Sequence, residues 1–217
     1  MKIKKRICLI AIILMMTALL IPAVCKNEIV KAAEQTGDWR CTELDDGTVR
    51  IYNYVGSETE VIIPAEINGK RVTVIGYGVF ADRTNLTSIE IPEGVTSIEA
   101  RAFSGCTGLT SIKIPTTVMS IGEWAFADCS GLTSIKIPSG LTIINDYTFN
   151  YCAGLISIEI PTGVTSIGKA AFTGCTSLTS VKIPASVTKI GAYAFRSCSR
   201  LTNLKIPTSV TNIGDEA

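Results

Sequence analysis

The sequence predicts a β-rich solenoid: a stack of coils with parallel strands, short helical turns and an N-terminal β-hairpin cap. Three observations predict it: a unit that returns every 23 residues, a short alternating apolar segment that ends in proline within each unit, and a later Phe-x-x-Cys. Such a period is typical of coils in which each repeat contacts only its neighbours. The units start at Leu86, Leu109, Leu132, Leu155, Leu178 and Leu201.

The first half of each unit predicts a strand. Numbering positions from the starting leucine, positions 4 to 6 alternate apolar and polar, as in Ile89-Glu90-Ile91. A period of two places both isoleucines on the inner face. Proline follows at position 7, and the strand must end there because proline has no N–H to donate to the next strand. The six prolines are Pro92, Pro115, Pro138, Pro161, Pro184 and Pro207.

The second half predicts another inward pair and a turn. Val95 and Ile98, at positions 10 and 13, are the second inward pair, and Gly or Asn commonly follows at position 14, which suits a sharp turn. Phe at position 18 and Cys at position 21 have helical spacing, which predicts one short helical turn. We expect the phenylalanines to form a buried column: Phe103, Phe126, Phe149, Phe172 and Phe195.

An N-terminal cap is expected before the regular units. Arg40–Leu44 and Thr48–Val55 alternate around Asp45-Asp46-Gly47, which indicates a β-hairpin. The predicted division is therefore a signal peptide at 1–32, a hairpin cap at 33–60 and repeats at 61–217. Within the repeats, a variant first unit occupies 58–85, five full units occupy 86–200, and an incomplete sixth occupies 201–217. Because the sixth unit stops midway, we expect the sequence to be a fragment, with natural truncation as the alternative.

The repeat resembles a known family. The pattern I-x-I-P-x-x-V-x-x-I-G…A-F-x-x-C-x-x-L, carried by residues 40–217, is similar to the BspA-like leucine-rich repeats of bacterial surface proteins. The resemblance implies a leucine-rich-repeat coil stack and an adhesin-like role at the cell surface. Position 9 departs from ordinary leucine-rich repeats, which have Asn or Cys there, because this chain has Gly, Thr or Ser.

The N-terminus predicts export. Four basic residues between positions 2 and 6 precede an apolar run from Ile7 to Val24, as in a secretory signal, with cleavage expected after Ala32. Cleavage after Ala23 and an uncleaved membrane anchor remain alternatives, and the residues before Cys25 fit a lipidation signal poorly. We therefore expect a secreted or cell-surface protein that touches the membrane only transiently, through the signal peptide.

Composition excludes several function classes. The chain has no histidine, and therefore no Ser-His or Cys-His pair, and it shows no phosphate-binding loop. Its carboxylates fall at different repeat positions and do not converge. Residues 33–217 carry 14 Lys and Arg against 18 Asp and Glu, a net charge near −4, which does not favour nucleic acid. We expect no enzyme, no cofactor and no nucleic-acid partner.

The cysteine column is interpreted as structural. Identical positions on stacked strands keep Cβ atoms farther apart than the roughly 3.8 Å that a disulfide favours. Zinc sites use convergent ligands. We therefore expect buried, reduced thiols that act as small hydrophobes, and no metal. The column comprises Cys106, Cys129, Cys152, Cys175 and Cys198.

Two outward columns are candidate binding surfaces. Position 5 forms a mildly basic ladder in which Lys113, Lys136 and Lys182 are the candidates; the alternative is a solvated sheet face. Position 16 holds Trp124, Tyr147 and Tyr193 in one row. An outward row of aromatic side chains suits recognition of a protein or a glycan; alternatively, it covers the neighbouring coil.

The predicted function is a non-catalytic binding module, secreted or at the cell surface. It is adhesin-like by family resemblance, and its unidentified partner is an extracellular protein or glycan. The alternative is a targeting or spacer region of a larger surface enzyme whose catalytic domain lies beyond Ala217.

Overall fold

The repeat folds as about seven turns of a solenoid whose hydrophobic core runs along its axis. The computed structural model describes residues 34–217. The predicted parallel-strand solenoid and its hairpin cap are confirmed. The predicted signal peptide and its cleavage site lie outside the described residues. None of the described residues forms a helix long and apolar enough to cross a membrane.

The cap is a three-stranded antiparallel meander that continues into the solenoid. Its strands are β1 (Glu34–Thr36), β2 (Trp39–Glu43) and β3 (Val49–Tyr54). The predicted β2–β3 hairpin closes where Leu44 donates to the Thr48 carbonyl at 2.8 Å. Strand β3 then pairs in parallel with a strand of the first coil. The cap therefore covers the end of the core and is hydrogen-bonded directly to the first coil.

The first coil differs from the later ones by an inserted hairpin. It contains β4 (Glu60–Ile62), β5 (Glu66–Ile67) and β6 (Lys70–Ile75), and β5 pairs antiparallel with β6. Asn68 and Gly69 form the two-residue turn with φ values of 53° and 74°. Both angles are positive, as a type I′ turn requires, and Asn-Gly tolerates them best.

Positions 3 to 5 form the first face of the solenoid. Its strands stack in parallel with equivalent residues paired, so that Ile89 lies beside Ile112 and Glu90 beside Lys113. The isoleucines at position 4 point inward, and position 5 is exposed. The first-face strands after β4 are β7 (Ser88–Glu90), β9 (Ser111–Lys113), β11 (Ser134–Ile135), β13 (Ser157–Glu159) and β15 (Ser180–Lys182).

Positions 12 and 13 form the second face. Each strand is only two residues long because a turn follows at position 14, and the residue at position 13 is buried in every strand except the last. Of the six strands, the first two continue the sheet that β3 and β6 begin, and the other four form a separate sheet. The six strands are β8 (Ser97–Ile98), β10 (Ser120–Ile121), β12 (Ile143–Ile144), β14 (Ser166–Ile167), β16 (Lys189–Ile190) and β17 (Asn212–Ile213).

Each face is interrupted once near the middle of the stack. On the second face, β10 and β12 belong to different sheets, and on the first face so do β11 and β13. At the second-face break, position 14 is Asn145, and its side-chain Nδ2 donates to the Ile121 carbonyl at 2.6 Å. Elsewhere a backbone N–H makes this bond, as Gly168 does to Ile144 at 2.8 Å. A side chain thus replaces a backbone donor where the sheet is broken.

The Phe segment differs from the predicted short helical turn. The described residues contain no helix, and positions 16 and 20 both adopt left-handed backbone angles, as at Tyr147 (φ 58°) and Tyr151 (φ 54°). Only three residues separate these positions, too few for a helical segment to develop. Alternate N–H groups instead bond to the next coil: Tyr147 to Lys169 at 2.8 Å, and Tyr151 to Thr173 at 2.7 Å. This third side of the coil is therefore a hydrogen-bonded ladder of turns.

The phenylalanine column fills the core as predicted. Its members from Phe80 to Phe172 have no exposed surface, and Phe195 is 8% exposed. Successive rings lie nearly parallel, with centroids 5.3–5.6 Å apart and interplanar angles of 3–8°. The distance between successive ring centroids gives the spacing between successive coils, because each ring has the same position in its unit.

Candidate binding site

The basic ladder of the first face is solvent-exposed, as predicted, and partly neutralised. Lys113, Lys136 and Lys182 are all exposed. Lys182 Nζ lies 3.0 Å from a carboxylate oxygen of Glu159, and Lys113 is paired in register with Glu90. Exposed pairs of this kind contribute little to stability. Each of the two glutamates of the ladder, Glu90 and Glu159, thus faces a lysine of the next coil.

Lys136 lies beside the break in the first face. A cleft of about 510 Å³ opens there, between β11 and β13, with Lys136, Glu159 and Lys182 among its lining residues. One backbone bond still crosses the break, from the Ile156 N–H to the Thr133 carbonyl at 3.1 Å. The cleft therefore arises from interrupted strand pairing.

The aromatic row lies on the third side of the coil, at position 16. Trp124, Tyr147 and Tyr193 are half-buried and hold φ values of 60°, 58° and 62°. A left-handed backbone at a bulky residue other than glycine costs about 1–3 kcal/mol and occurs where the surrounding structure over-determines it. The ladder of turns imposes this angle, because the N–H at position 16 must reach the next coil.

The row divides at Ala170. Trp124 and Tyr147 stack on each other, with centroids 4.0 Å apart and an interplanar angle of 8°. Ala170 takes position 16 in the next coil and is buried, so no ring follows Tyr147 until Tyr193, two coils away. The two rings of the pair thus pack on each other across adjacent coils, whereas Tyr193 is separated from them by a gap.

A groove opens at this gap. Its volume is about 310 Å³, near the lower end of the range for ligand pockets. Tyr147 and Tyr193 form opposite walls, and Tyr151, which is 56% exposed, extends the aromatic surface. The full lining comprises Trp124, Tyr147, Asn150, Tyr151, Lys169, Ala170, Thr173, Tyr193 and Arg196.

The polar lining consists of an amide, a hydroxyl and two cations. Asn150 is 4% exposed and donates a long bond of 3.4 Å to the Ala170 carbonyl. Thr173 Oγ1 donates to the Tyr193 carbonyl. Lys169 Nζ lies 5.7 Å from the Tyr147 ring centroid, and Arg196 Cζ lies 5.3 Å from that of Tyr193. Among the described residues that line the groove, none is acidic.

Tyr147 influences the pKa of the Lys169 side chain. The side chain of Tyr147, beside the ammonium, raises the pKa of Lys169. Nearby Asp146 also raises this pKa, although its Oδ1 already accepts the backbone N–H of Lys169 at 2.7 Å. Lys169 therefore stays protonated at every physiological pH. Arg196 pairs with Glu216 at 3.4 Å in an exposed contact.

The sequence predicted three of the nine lining residues. Tyr151, Asn150, Thr173, Lys169 and Arg196 were missed because each occupies a repeat column of mixed composition, and Ala170 stands in the predicted column without being a candidate. Tyr151 lies four residues after Tyr147, at the second left-handed position, so a comparison of columns 16 and 20 would have found it. Lys113, Lys136 and Lys182 lie on a different side and do not join this groove.

The cysteine column lies in the core, away from both surfaces. All five thiols are buried and free. Burial raises the pKa of every one, to about 12 for Cys106 and about 11 for Cys198. No group of cysteines and carboxylates among residues 34–217 could hold a metal ion.

Solved structures share this architecture. A leucine-rich cell surface protein of Faecalibacterium prausnitzii is 35% identical, with a TM-score of 0.77; the match covers 86% of this chain and 51% of that one. A T. pallidum leucine-rich repeat protein is 29% identical, with a TM-score of 0.79, and the match covers 84% of this chain and 86% of that one. The chain thus spans about half the length of the F. prausnitzii protein.

The sequence comparisons identify the repeat itself. No curated protein matches this chain. The BspA type leucine-rich repeat region matches in six copies, over residues 51–155, 73–198 and 142–217, which together take in every coil and the second half of the cap. The proline, phenylalanine and cysteine columns described above recur throughout the matched region. The chain therefore belongs to the BspA-type leucine-rich repeat family.

Proposed function

We propose that this protein is a non-catalytic binding module, secreted or displayed at the cell surface, that has an adhesin-like role. The proposal rests chiefly on the aromatic groove on the third side of the solenoid. Its walls, Tyr147 and Tyr193, hold half-buried rings on a left-handed backbone and leave a gap between them. Such a surface suits an extracellular protein or glycan, because aromatic rings supply apolar contact area with a polar edge.

The backbone angles add weight to this proposal. Position 16 needs a left-handed backbone, and Gly78 occupies it in the first coil without steric cost. Trp124, Tyr147 and Tyr193 adopt the same angle with large side chains. Core packing does not require them, because the phenylalanine column already fills the interior. A binding role explains why aromatic residues occupy a position that favours glycine.

The family supports placement at the cell surface. The F. prausnitzii relative is a cell surface protein, and it shares 35% of its aligned residues with this chain. A rigid solenoid suits such a place because it holds side chains from several coils in fixed positions along one side.

The test compares two triple variants of residues 33–217. In the first, Trp124, Tyr147 and Tyr193 become serine; in the second, Lys113, Lys136 and Lys182 do. Both are measured against immobilised extracellular-matrix proteins and a glycan array, with far-UV circular dichroism and melting temperature as folding controls. We expect the aromatic variant to keep its far-UV spectrum and lose binding, and the lysine variant to bind like the parent.

Two results would contradict this assignment. If only the lysine variant loses binding, and parent binding falls steeply with salt, the first face is the site. If the aromatic variant melts much lower while its folded fraction binds normally, the row only covers the neighbouring coil. Absence of binding by the parent to every matrix protein and glycan tested would count against a binding module.

A further inference from the structure

We propose that the groove between Tyr147 and Tyr193 binds one acidic pyranose unit, a sugar ring that carries a carboxylate or sulfate, with its two faces against the two tyrosine rings. This inference rests on the proposed binding function and names the ligand class of the same site.

The dimensions of the gap suit one ring that is thicker than an aromatic ring. Tyr147 and Tyr193 are two coils apart, and each coil step here measures 5.4 Å along the phenylalanine stack. A guest centred above Ala170 would therefore lie about one coil step from the backbone that carries either wall. A pyranose chair carries C–H groups on both faces, so it is thicker than a flat ring and presents apolar faces to both tyrosines. Aromatic walls are the surfaces on which such faces pack.

The floor of the groove matches the edge of a sugar. Asn150 is 4% exposed, and its side-chain Nδ2 donates to the Ala170 carbonyl at a long 3.4 Å. Its amide can exchange that weak bond for one with a ring hydroxyl. Thr173 places a second hydroxyl-bearing side chain beside it. A purely apolar guest would cover these polar groups without bonding to them, and burying an unpaired polar group is unfavourable.

The charges favour an acidic sugar over a neutral one. Lys169 and Arg196 both line the groove, and its described lining contains no carboxylate. Glu216 pairs with Arg196 and partly neutralises it, and Asp146 Oδ1 accepts the backbone N–H of Lys169, so the Lys169 ammonium is the cation left for a ligand. Lys169 is fully charged and lies at the rim beside Tyr147, so its ammonium is available to a carboxylate or sulfate on the ring edge.

A protein partner is the competing occupant, because an aromatic side chain could also enter the gap and continue the row. The polar floor favours the sugar, since a phenyl ring makes no hydrogen bonds. The experiment therefore uses both kinds of probe: glucuronate- and sialic-acid-terminated oligosaccharides, a glucose-terminated one, and a Phe-containing peptide.

The decisive variant fills the gap with a tyrosine side chain at position 170. Ala170→Tyr completes the row at a backbone angle that its neighbours already show to be compatible with tyrosine. We expect it to fold with unchanged or higher stability and to bind acidic oligosaccharides at least about tenfold more weakly in titration calorimetry. Arg101→Tyr is the control, because it also places a tyrosine at this repeat position, but outside the groove. We expect its affinity to stay within about twofold of the parent.

A second variant tests the charge. Lys169→Gln removes the cation and keeps a polar side chain at the rim. We expect it to lose most of the preference for acidic over glucose-terminated probes while retaining weak binding to both. An unchanged preference would show that Lys169 does not recognise the acidic group of the sugar and would overturn that part of the proposal.

The failure of this inference can be separated from the failure of the proposed function. If Ala170→Tyr binds acidic oligosaccharides like the parent, the groove is not their site. If the parent binds the peptide and no saccharide, the sugar assignment is wrong, yet the protein remains a binding module. If the parent binds neither probe but still binds a matrix protein, the sugar assignment alone fails.

Discussion

Cys152 Sγ donates a hydrogen bond of 3.1 Å to the carbonyl oxygen of Phe126, one coil earlier in the stack. The same oxygen accepts the backbone N–H of Cys129 at 3.3 Å, so each phenylalanine carbonyl from Phe103 to Phe172 accepts hydrogen bonds from the cysteines of two successive coils. The other four repeat thiols make the equivalent bond at 3.0–3.2 Å. The bond needs a protonated thiol, and it gives the cysteine at position 21 a structural role in joining successive coils.

The repeat thiols should react slowly until the protein unfolds. Each is buried, and burial raises its pKa, so the reactive thiolate is scarce at neutral pH. Titration with a thiol reagent should modify none of the five rapidly in buffer and all of them in denaturant. Cys198 should be the first to react, because it is the least buried of the column. Intact-mass evidence for two disulfides among these residues would refute the interpretation.

Alkaline pH should weaken the fold. Burial raises the pKa of Cys106 from 9.0 to about 12, so the folded state keeps this proton at a pH where the unfolded chain has lost it. The stability that the protonated thiol contributes is therefore complete below pH 9 and is lost as the pH rises towards 12. Denaturant unfolding between pH 8 and 11 should show a falling free energy. Cys106→Ser, which does not titrate, should show a shallower fall.

The phenylalanine stack should dominate stability. Phe149→Ala removes a fully buried ring between two stacked neighbours and should lower the free energy of unfolding by about 3–5 kcal/mol. Unfolding should also become less cooperative, since each coil contacts only adjacent coils. Met119→Ala, on an exposed side chain, is the control and should change stability by less than about 0.5 kcal/mol. A loss below about 1 kcal/mol for Phe149→Ala would contradict the stacked core.

Arg83 should hold the cap to the first coil. Its guanidinium donates to the carbonyls of Tyr54 and Gly56, both at 2.6 Å, and its Cζ lies 4.7 Å from the Tyr54 ring centroid. Arg83→Met should therefore destabilise the protein by about 1.5–3 kcal/mol, because two carbonyls lose a charged donor. Hydrogen exchange should rise most in β2 and β3. Exposed Arg200→Met is the control; equal effects of the two changes would contradict the bridging role.

Much of the fold follows from local pattern. Proline at position 7 ends each first-face strand, and the Asn68-Gly69 pair makes a tight turn, because backbone preferences at these residues act over a few positions. The inward isoleucines and phenylalanines also follow from spacing, since every coil repeats the same short pattern. The prediction of a helical turn around Phe149 was wrong because it rested on local spacing alone. Phe-x-x-Cys spacing fits a helix, but the backbone N–H groups of this segment bond to the next coil.

Only part of the candidate site could be predicted from the sequence. The row of Trp124, Tyr147 and Tyr193 is visible as a column, yet its division at Ala170 becomes a groove only when coils are stacked. Asn150 and Lys169 enter the site from different units, and no local pattern links them. Their meeting depends on the offset between adjacent coils.

The sequence by itself determined the period, the two strand faces, the hairpin cap and the buried columns, because these depend on spacing within one unit. Tertiary structure alone decided the left-handed angle at position 16, the breaks between β10 and β12 and between β11 and β13, and the groove beside Ala170. Each of these arises from hydrogen bonds and ring contacts between residues about one repeat apart. Such contacts form only when two adjacent coils pack against each other.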